Sequence, residues 1–186
     1  LRKALALVDR LPETMRLSFN LSAHDITSAP TMVSLVALVR RSGVDPARLI
    51  FEVTETAVIR DFKTAESSIR LLRSLGSHIA LDDFGTGYSS LSYLHRLPID
   101  RVKIDRSFIM NLSHDNSSLA IADAVMNLGR ALHLSTVAAG VETGEQLPPL
   151  PHRRFAAAQS CLFPPPLPPH DLPRGITRQP PPTRRA

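Results

Sequence analysis

The stretch Asp82-Asp83-Phe84-Gly85-Thr86-Gly87-Tyr88-Ser89-Ser90-Leu91 places two adjacent carboxylates between an apolar run, residues 79–81, and a Gly-x-Gly turn. Side chains alternate along a strand, so neighbouring aspartates reach one point only where the strand ends and the backbone turns. Two carboxylates at one point repel each other unless divalent cations neutralise them. The alternative is a β-turn with aspartate and glycine as turn formers. The stretch predicts the end of a barrel strand at an active site.

Short apolar segments alternate with segments of helical periodicity on both sides of this stretch. The pattern predicts strands at residues 17–20, 48–53, 78–82, 101–104 and 135–139, with a weaker strand near 155–159. It predicts helices near residues 1–11, 30–42, 60–75, 117–132 and 143–148. This repeated order favours an α/β fold in which parallel strands are joined by crossover helices.

Four side chains with oxygen donors lie at the predicted carboxyl ends of three strands: Asn20, Glu52, Asp82 and Asp83. Barrel enzymes place their active sites at this end. Hard cations such as Mg²⁺ or Mn²⁺ prefer oxygen ligands, and a pair of them serves phosphodiester hydrolysis. These residues therefore predict part of a two-metal site. Lys103 ends the next strand, where the alternative is a solvated lysine without a role in chemistry.

Several segments, taken together, resemble the EAL-domain family, the bacterial phosphodiesterases that act on cyclic di-GMP. The segments are DDFGTGYSSL at 82–91, LSFNLS at 17–22, FEVTE at 51–55, VKIDRSF at 102–108, VAAGVET at 137–143 and Gln159. Their order and intervals argue against chance similarity. The resemblance covers about residues 1–168 and implies a TIM-like (β/α)8 barrel, incomplete here, with about six of its eight strands present. The first two strands are expected to precede residue 1.

The resemblance also implies a role for each site residue. Asn20, Glu52 and Asp82 would hold one divalent ion, Mg²⁺ or Mn²⁺, and Asp82 with Asp83 would reach a second. Lys103 and Asp83 would be catalytic, with Lys103 orienting the attacking water or steadying phosphate charge. Glu55 would stabilise the loop after Asp83. Gln159 would contact the ligand.

Two catalytic positions of the family have no counterpart in the sequence. The glutamate of the Glu-Ala-Leu motif is expected to precede residue 1, and Ala139 stands where the family has a glutamate that binds the second metal or acts as a base. Alanine performs neither task, and Glu142 is not an obvious replacement. Two interpretations stay open: a phosphodiesterase that converts cyclic di-GMP to pGpG, and a degenerate module that binds cyclic di-GMP or a protein without hydrolysis. A truncated or frame-damaged product is a third.

The composition separates a balanced domain from a basic tail. Residues 148–186 hold six of the 22 Lys and Arg, one of the 17 Asp and Glu, and 12 of the 16 prolines. The net charge of +5 therefore belongs to the tail, and no basic stripe on the remainder favours nucleic-acid binding. We expect a barrel domain over residues 1–168 and a disordered Pro/Arg-rich tail over 169–186.

A cytoplasmic location is expected from two further features. The single cysteine, Cys161, cannot form an intrachain disulfide, and no apolar run is long enough to span a bilayer. The chain begins with Leu1, so we expect it to be part of a longer polypeptide whose other segments could anchor it to a membrane. The resemblance implies fusion to N-terminal sensory or diguanylate-cyclase-like domains. It also implies a homodimer formed through the loop after Asp83.

Overall fold

A computed structural model describes residues 1–8, 11–85, 91–110, 116–141 and 157–160. Six strands form one sheet whose spatial order follows the sequence, and every neighbouring pair is parallel. The strands are β1 (Leu17–Leu21), β2 (Leu49–Thr54), β3 (His78–Phe84), β4 (Arg101–Ile104), β5 (Ser135–Val141) and β6 (Ala157–Ser160). The predicted strands and their parallel direction are confirmed, and each boundary lies within two residues of its prediction.

Eight α-helices lie in the described part of the chain. They are α1 (Arg2–Val8), α2 (Ala23–Thr27), α3 (Ala29–Ser42), α4 (Glu55–Arg60), α5 (Phe62–Ser74), α6 (Leu91–Leu94), α7 (Arg106–Met110) and α8 (Asn116–Ala131). Four predicted helices correspond to α1, α3, α5 and α8, whereas the one near 143–148 lies outside the described residues. The expected tail, residues 169–186, also lies outside them.

The four helices that the sequence did not predict, α2, α4, α6 and α7, have four to six residues each. Helices this short do not complete two turns, so they show no apolar period. Side-chain caps hold two of them instead. Ser22 and Asp25 form a reciprocal capping box on α2, and the Thr54 hydroxyl accepts a hydrogen bond from the Ala57 backbone on α4. Such turns keep the chain ordered directly after the strands.

The hydrophobic core lies between the outer face of the sheet and the helices. The outward residues of β2, Leu49, Phe51 and Val53, are completely buried, and they belong to one cluster with Ile69 and Leu72 of α5. Residues between them along a strand point the other way, because successive side chains alternate. The inner face of the sheet is therefore free to carry polar side chains.

Among the described helices, none combines the length and the apolar composition needed to cross a bilayer.

Candidate active site

Three charged side chains from adjacent strands meet on the inner face of the sheet. The Lys103 Nζ donates hydrogen bonds of 2.6 Å to the Glu52 Oε2 and of 2.6 Å to the Asp82 Oδ2. Their side chains are only 6%, 9% and 16% exposed, in the order Lys103, Glu52, Asp82. Asp82 and Lys103 follow directly on Leu81 and Val102, which are paired in the β3–β4 register. The solvated alternative for Lys103 does not describe this buried ammonium.

The ion pairs set the protonation state of Lys103. Burial alone would lower the pKa of its ammonium, but the hydrogen bonds to Asp82 and Glu52 outweigh burial and raise the pKa above its usual value. Lys103 is therefore a full positive charge at neutral pH. Its stabilising contribution is complete below the ordinary lysine pKa and is lost only as pH rises through the higher folded-state value.

A cavity of about 440 Å³ opens beside this cluster. Its walls include Asn20 of β1, Glu52 of β2, Lys103 of β4 and Gln159 of β6, four of the residues that the sequence singled out. Arg16 and Arg101 also line it. The fold thus brings the predicted amides, one carboxylate and the lysine to one open space, and Asp82 joins them through Lys103.

The end of β3 departs from regular geometry at the second aspartate. The pairing with β4 shifts register between Leu81 and Phe84, and Asp83 has a φ of 55°. Its backbone N–H donates a 3.0 Å hydrogen bond to the Asp82 Oδ1. Partial burial, with the charges of Asp82 and Asp105, raises the pKa of the Asp83 carboxyl, and Lys103 opposes the shift. Aspartate tolerates this left-handed conformation better than most residues, which fits its place in the predicted turn.

The raised pKa of Asp83 gives a testable pH dependence. A carboxyl whose pKa is higher in the folded state stabilises the fold below its ordinary pKa of 3.8 and loses that contribution as pH rises through the folded value. In metal-free protein we therefore expect Asp83→Asn to raise the free energy of unfolding at pH 7 by about a few tenths of a kcal/mol, a small gain because the group is screened by solvent. The gain should shrink as pH falls toward about 4. Urea unfolding with EDTA at both pH values measures it, and a gain independent of pH would contradict it.

Glu55 anchors the chain just beyond the two aspartates. Its carboxylate is buried, and its Oε2 accepts a 3.2 Å hydrogen bond from the Gly85 backbone N–H. Gly85 has a φ of 99°, and a Cβ there would lie 3.1 Å from the Phe108 ring of α7. The loop-stabilising role of Glu55 stays a prediction, since residues 86–90 lie outside the described part of the chain.

Ala139 lies near the carboxyl end of β5, half-buried. Val137, two residues earlier, lines the cavity and pairs with Lys103 in the sheet register. The pairing of β5 with β6 shifts register between Ala138 and Val141, so regular strand alternation does not extend from Val137 to Ala139. The residues of β5, Ser135–Val141, include no carboxylate, so this strand adds no negative charge to the cluster.

The oxygen atoms of this cluster are of the type that a hard divalent cation prefers as ligands. Glu52 and Asp82 direct carboxylate oxygens at one point, and the Asn20 amide lines the same cavity. At that point, however, stands the Lys103 ammonium. Within the described ranges, no three His, Cys, Asp or Glu side chains form a group able to hold a metal on their own. An ion that used these oxygens together with Asn20 would require the Lys103 ammonium to move away from them.

Sequence reasoning did not identify Arg16 and Arg101 in the cavity wall, nor the contacts that α7 makes at the site. The Phe108 ring of α7 packs against Gly85, and the Arg106 side chain packs against Gly140. These contacts join residues more than 20 positions apart, so no local pattern reports them. The only available signal was the glycine at each position, which allows a close approach of the backbone.

Comparison with known proteins identifies sequences that are similar to this chain. A sequence model described as the EAL domain matches residues 1–166. The bifunctional diguanylate cyclase/cyclic di-GMP phosphodiesterase MucR of Pseudomonas aeruginosa is 41% identical over 156 residues, which cover 84% of this chain and 23% of MucR. This chain spans about a fifth, 18–23%, of the length of three such curated relatives.

Two solved structures extend the comparison to coordinates. The MucR phosphodiesterase in complex with cyclic di-GMP superposes with a TM-score of 0.85 at 38% identity, covering 92% of this chain and 69% of that one. A manganese and cyclic di-GMP complex of BlrP1 from Klebsiella pneumoniae gives a TM-score of 0.78 at 32% identity, covering 87% of this chain and 42% of that one.

Proposed function

The chain belongs to the EAL domain family, and we propose that its site binds cyclic di-GMP together with a divalent cation, Mg²⁺ or Mn²⁺. The chemical class is phosphodiester hydrolysis to linear pGpG, with turnover limited by Ala139. The observation that carries the proposal is the buried cluster of Lys103 with Glu52 and Asp82, set at the ends of parallel strands beside a cavity lined by Asn20 and Gln159.

Each residue has a task in the proposed reaction. Hydrolysis adds one water across one phosphodiester: the water oxygen bonds to phosphorus, the bond to the leaving sugar oxygen breaks, and that oxygen takes up a proton. A divalent cation, when bound, offsets the phosphate charge and makes water more acidic. Glu52, Asp82 and Asn20 would hold the cation. Lys103 would orient the water or the phosphate, and Asp83 would complete the acidic end of β3.

The water must also lose a proton during attack, and this is where Ala139 matters. Ala139 stands two residues beyond Val137, which lines the cavity, and the methyl group of Ala139 accepts no proton. This observation favours a second candidate function, a module that binds cyclic di-GMP or a protein in a regulatory role without hydrolysing the nucleotide. Retention of Asn20, Glu52, Asp82, Asp83 and Lys103 favours the enzyme.

Calorimetric titration of cyclic di-GMP, combined with chromatography of pGpG, tests the proposal. We expect binding that depends on Mg²⁺, Mn²⁺ or Ca²⁺, with little product formed. Glu52→Gln should weaken this binding by about tenfold or more, since it removes one charge at a buried ion site. Glu66→Gln is the matched control, because Glu66 is a carboxylate on α5 that pairs with Arg70 outside the cavity. The absence of binding with all three ions, or equal loss in both variants, would refute the proposal.

We further propose that the domain forms a homodimer through the loop after Asp83. Half-exposed Ile59 and Tyr93 border a small apolar crevice that Glu55 and Phe84 also line, so apolar surface is available at the end of β3, where that loop begins. Size-exclusion chromatography with light scattering would measure the dimer, and a monomer at all concentrations would contradict it.

We also propose that the domain works in the cytoplasm, because the single Cys161 suits a reducing compartment. Fusion to N-terminal sensory or diguanylate-cyclase-like domains is proposed because MucR is named as a bifunctional protein.

A further inference from the structure

The Lys103 ammonium stands at the point where two carboxylates converge. We propose that Lys103 is an internal counter-ion that holds Glu52 and Asp82 together and that a divalent cation must displace before it can bind. The inference rests on the proposed metal site and adds a competition between a side chain and the metal. It assigns Lys103 a task in the metal-free protein that precedes its task in catalysis.

The distances support competition rather than coexistence. Both N–O distances are 2.6 Å, shorter than the 2.7–2.9 Å usual for such charge-assisted bonds. A divalent ion of the Mg²⁺ type lies about 2.0–2.1 Å from its oxygen ligands. An ion using the Glu52 Oε2 and the Asp82 Oδ2 would occupy the space that the ammonium now fills. An ion at that position and the ammonium would also repel each other strongly, because the cluster is buried.

Burial also explains why the site needs a cation before the metal arrives. Glu52 and Asp82 carry two negative charges on side chains that are 9% and 16% exposed, and isolated buried charges are costly. Lys103 neutralises one of these charges and keeps both carboxylates in place. The metal therefore binds ligands that are already assembled, but two ion pairs must break before it binds. Once displaced, the ammonium is free to contact water or phosphate in the adjacent cavity.

Titration with Mn²⁺ alone, following free Mn²⁺ by electron paramagnetic resonance, measures this competition. Lys103→Met removes the ammonium while keeping an unbranched side chain, and we expect the Mn²⁺ dissociation constant to fall by about tenfold or more. Lys63→Met is the matched control: Lys63 is the same residue type, lies exposed on α5 and is not part of the cavity wall. It should change the dissociation constant by less than about threefold, since its ammonium is in solvent and screened by salt.

A second measurement uses the unsubstituted protein, so the test survives if Lys103→Met folds poorly without metal. The chain has three lysines, Lys3, Lys63 and Lys103, so ¹⁵N-lysine labelling gives few ammonium signals. The Lys103 signal should be protected from exchange in EDTA and should shift or disappear at saturating Mg²⁺.

The outcomes separate this inference from the proposed function. Equal Mn²⁺ affinity in Lys103→Met and the unsubstituted protein, or a Lys103 signal unchanged by saturating Mg²⁺, would overturn the counter-ion role while leaving the metal site in place. The absence of Mn²⁺ binding in every variant at millimolar concentration would overturn the proposed function, and the inference with it. Tighter binding in Lys103→Met but not in Lys63→Met would support both.

Discussion

In a protein that also carries the strands expected before residue 1, replacing Ala139 with glutamate is expected to raise the rate of cyclic di-GMP hydrolysis by about 10²–10⁴-fold, the range that a positioned acid–base group contributes. The new carboxylate would stand near the carboxyl end of β5, two residues beyond Val137, which lines the cavity and pairs with Lys103 of β4. It would restore the residue type that the resemblance to the EAL family implies at this position. The measurement is the initial rate of pGpG formation with Mg²⁺ or Mn²⁺, at saturating nucleotide.

Three comparisons make this prediction specific. Ala139→Gln has nearly the same size without a carboxylate and should stay near the unsubstituted rate. The dissociation constant of cyclic di-GMP should change far less than turnover, because the carboxylate serves chemistry more than ligand binding. Adding Asp83→Ala to Ala139→Glu should remove the gain. If Ala139→Glu stays at background and Asp83→Ala leaves ligand binding unchanged, the aspartates are structural turn residues and the phosphodiesterase interpretation fails.

The strands and the members of the site could be predicted because both depend on local sequence. The strands are short apolar runs with polar residues at their ends, and parallel strands bring those ends to one edge of the sheet. Asn20, Glu52, Lys103 and Gln159 line one cavity on the inner face of the sheet, which also reaches Arg101 and Ala157 at the amino ends of β4 and β6. Their chemical roles remain predictions, since the structure gives positions and contacts rather than rates.

Contacts across the sheet could not be predicted in the same way. Lys103 at a strand end is compatible with a solvated side chain, and only the packing of β2, β3 and β4 makes it a buried partner of Glu52 and Asp82. The left-handed conformation of Asp83 depends on a register shift that no residue pattern reports. The short helices after the strands also escape a periodicity search, although α7 contacts the glycines at two edges of the site.

One of those glycines yields the largest expected effect on stability: Gly140→Ala should cost about 2–5 kcal/mol of unfolding free energy. Gly140 has a φ of 71°, and a Cβ there would lie 2.4 Å from the Cβ of Arg106. The left-handed conformation costs an alanine about 1–2 kcal/mol. The overlap adds about 1–3 kcal/mol, because the backbone of α7 must move to relieve it. Denaturant unfolding measures the sum.

Gly43 separates the two contributions. It ends α3 with a φ of 72°, matching Gly140, but a Cβ at Gly43 would meet no atom within 4 Å. Gly43→Ala should therefore cost only the conformational part, about 1–2 kcal/mol. Arg106→Gly removes the Cβ that Gly140→Ala would strike, so the double variant should recover most of the steric part, seen as a coupling energy in a double-mutant cycle. Equal costs for the two glycine substitutions, without coupling to Arg106, would mean that α7 moves away freely and that the packing of α7 on β5 does not fix the edge of the site where Ala139 lies.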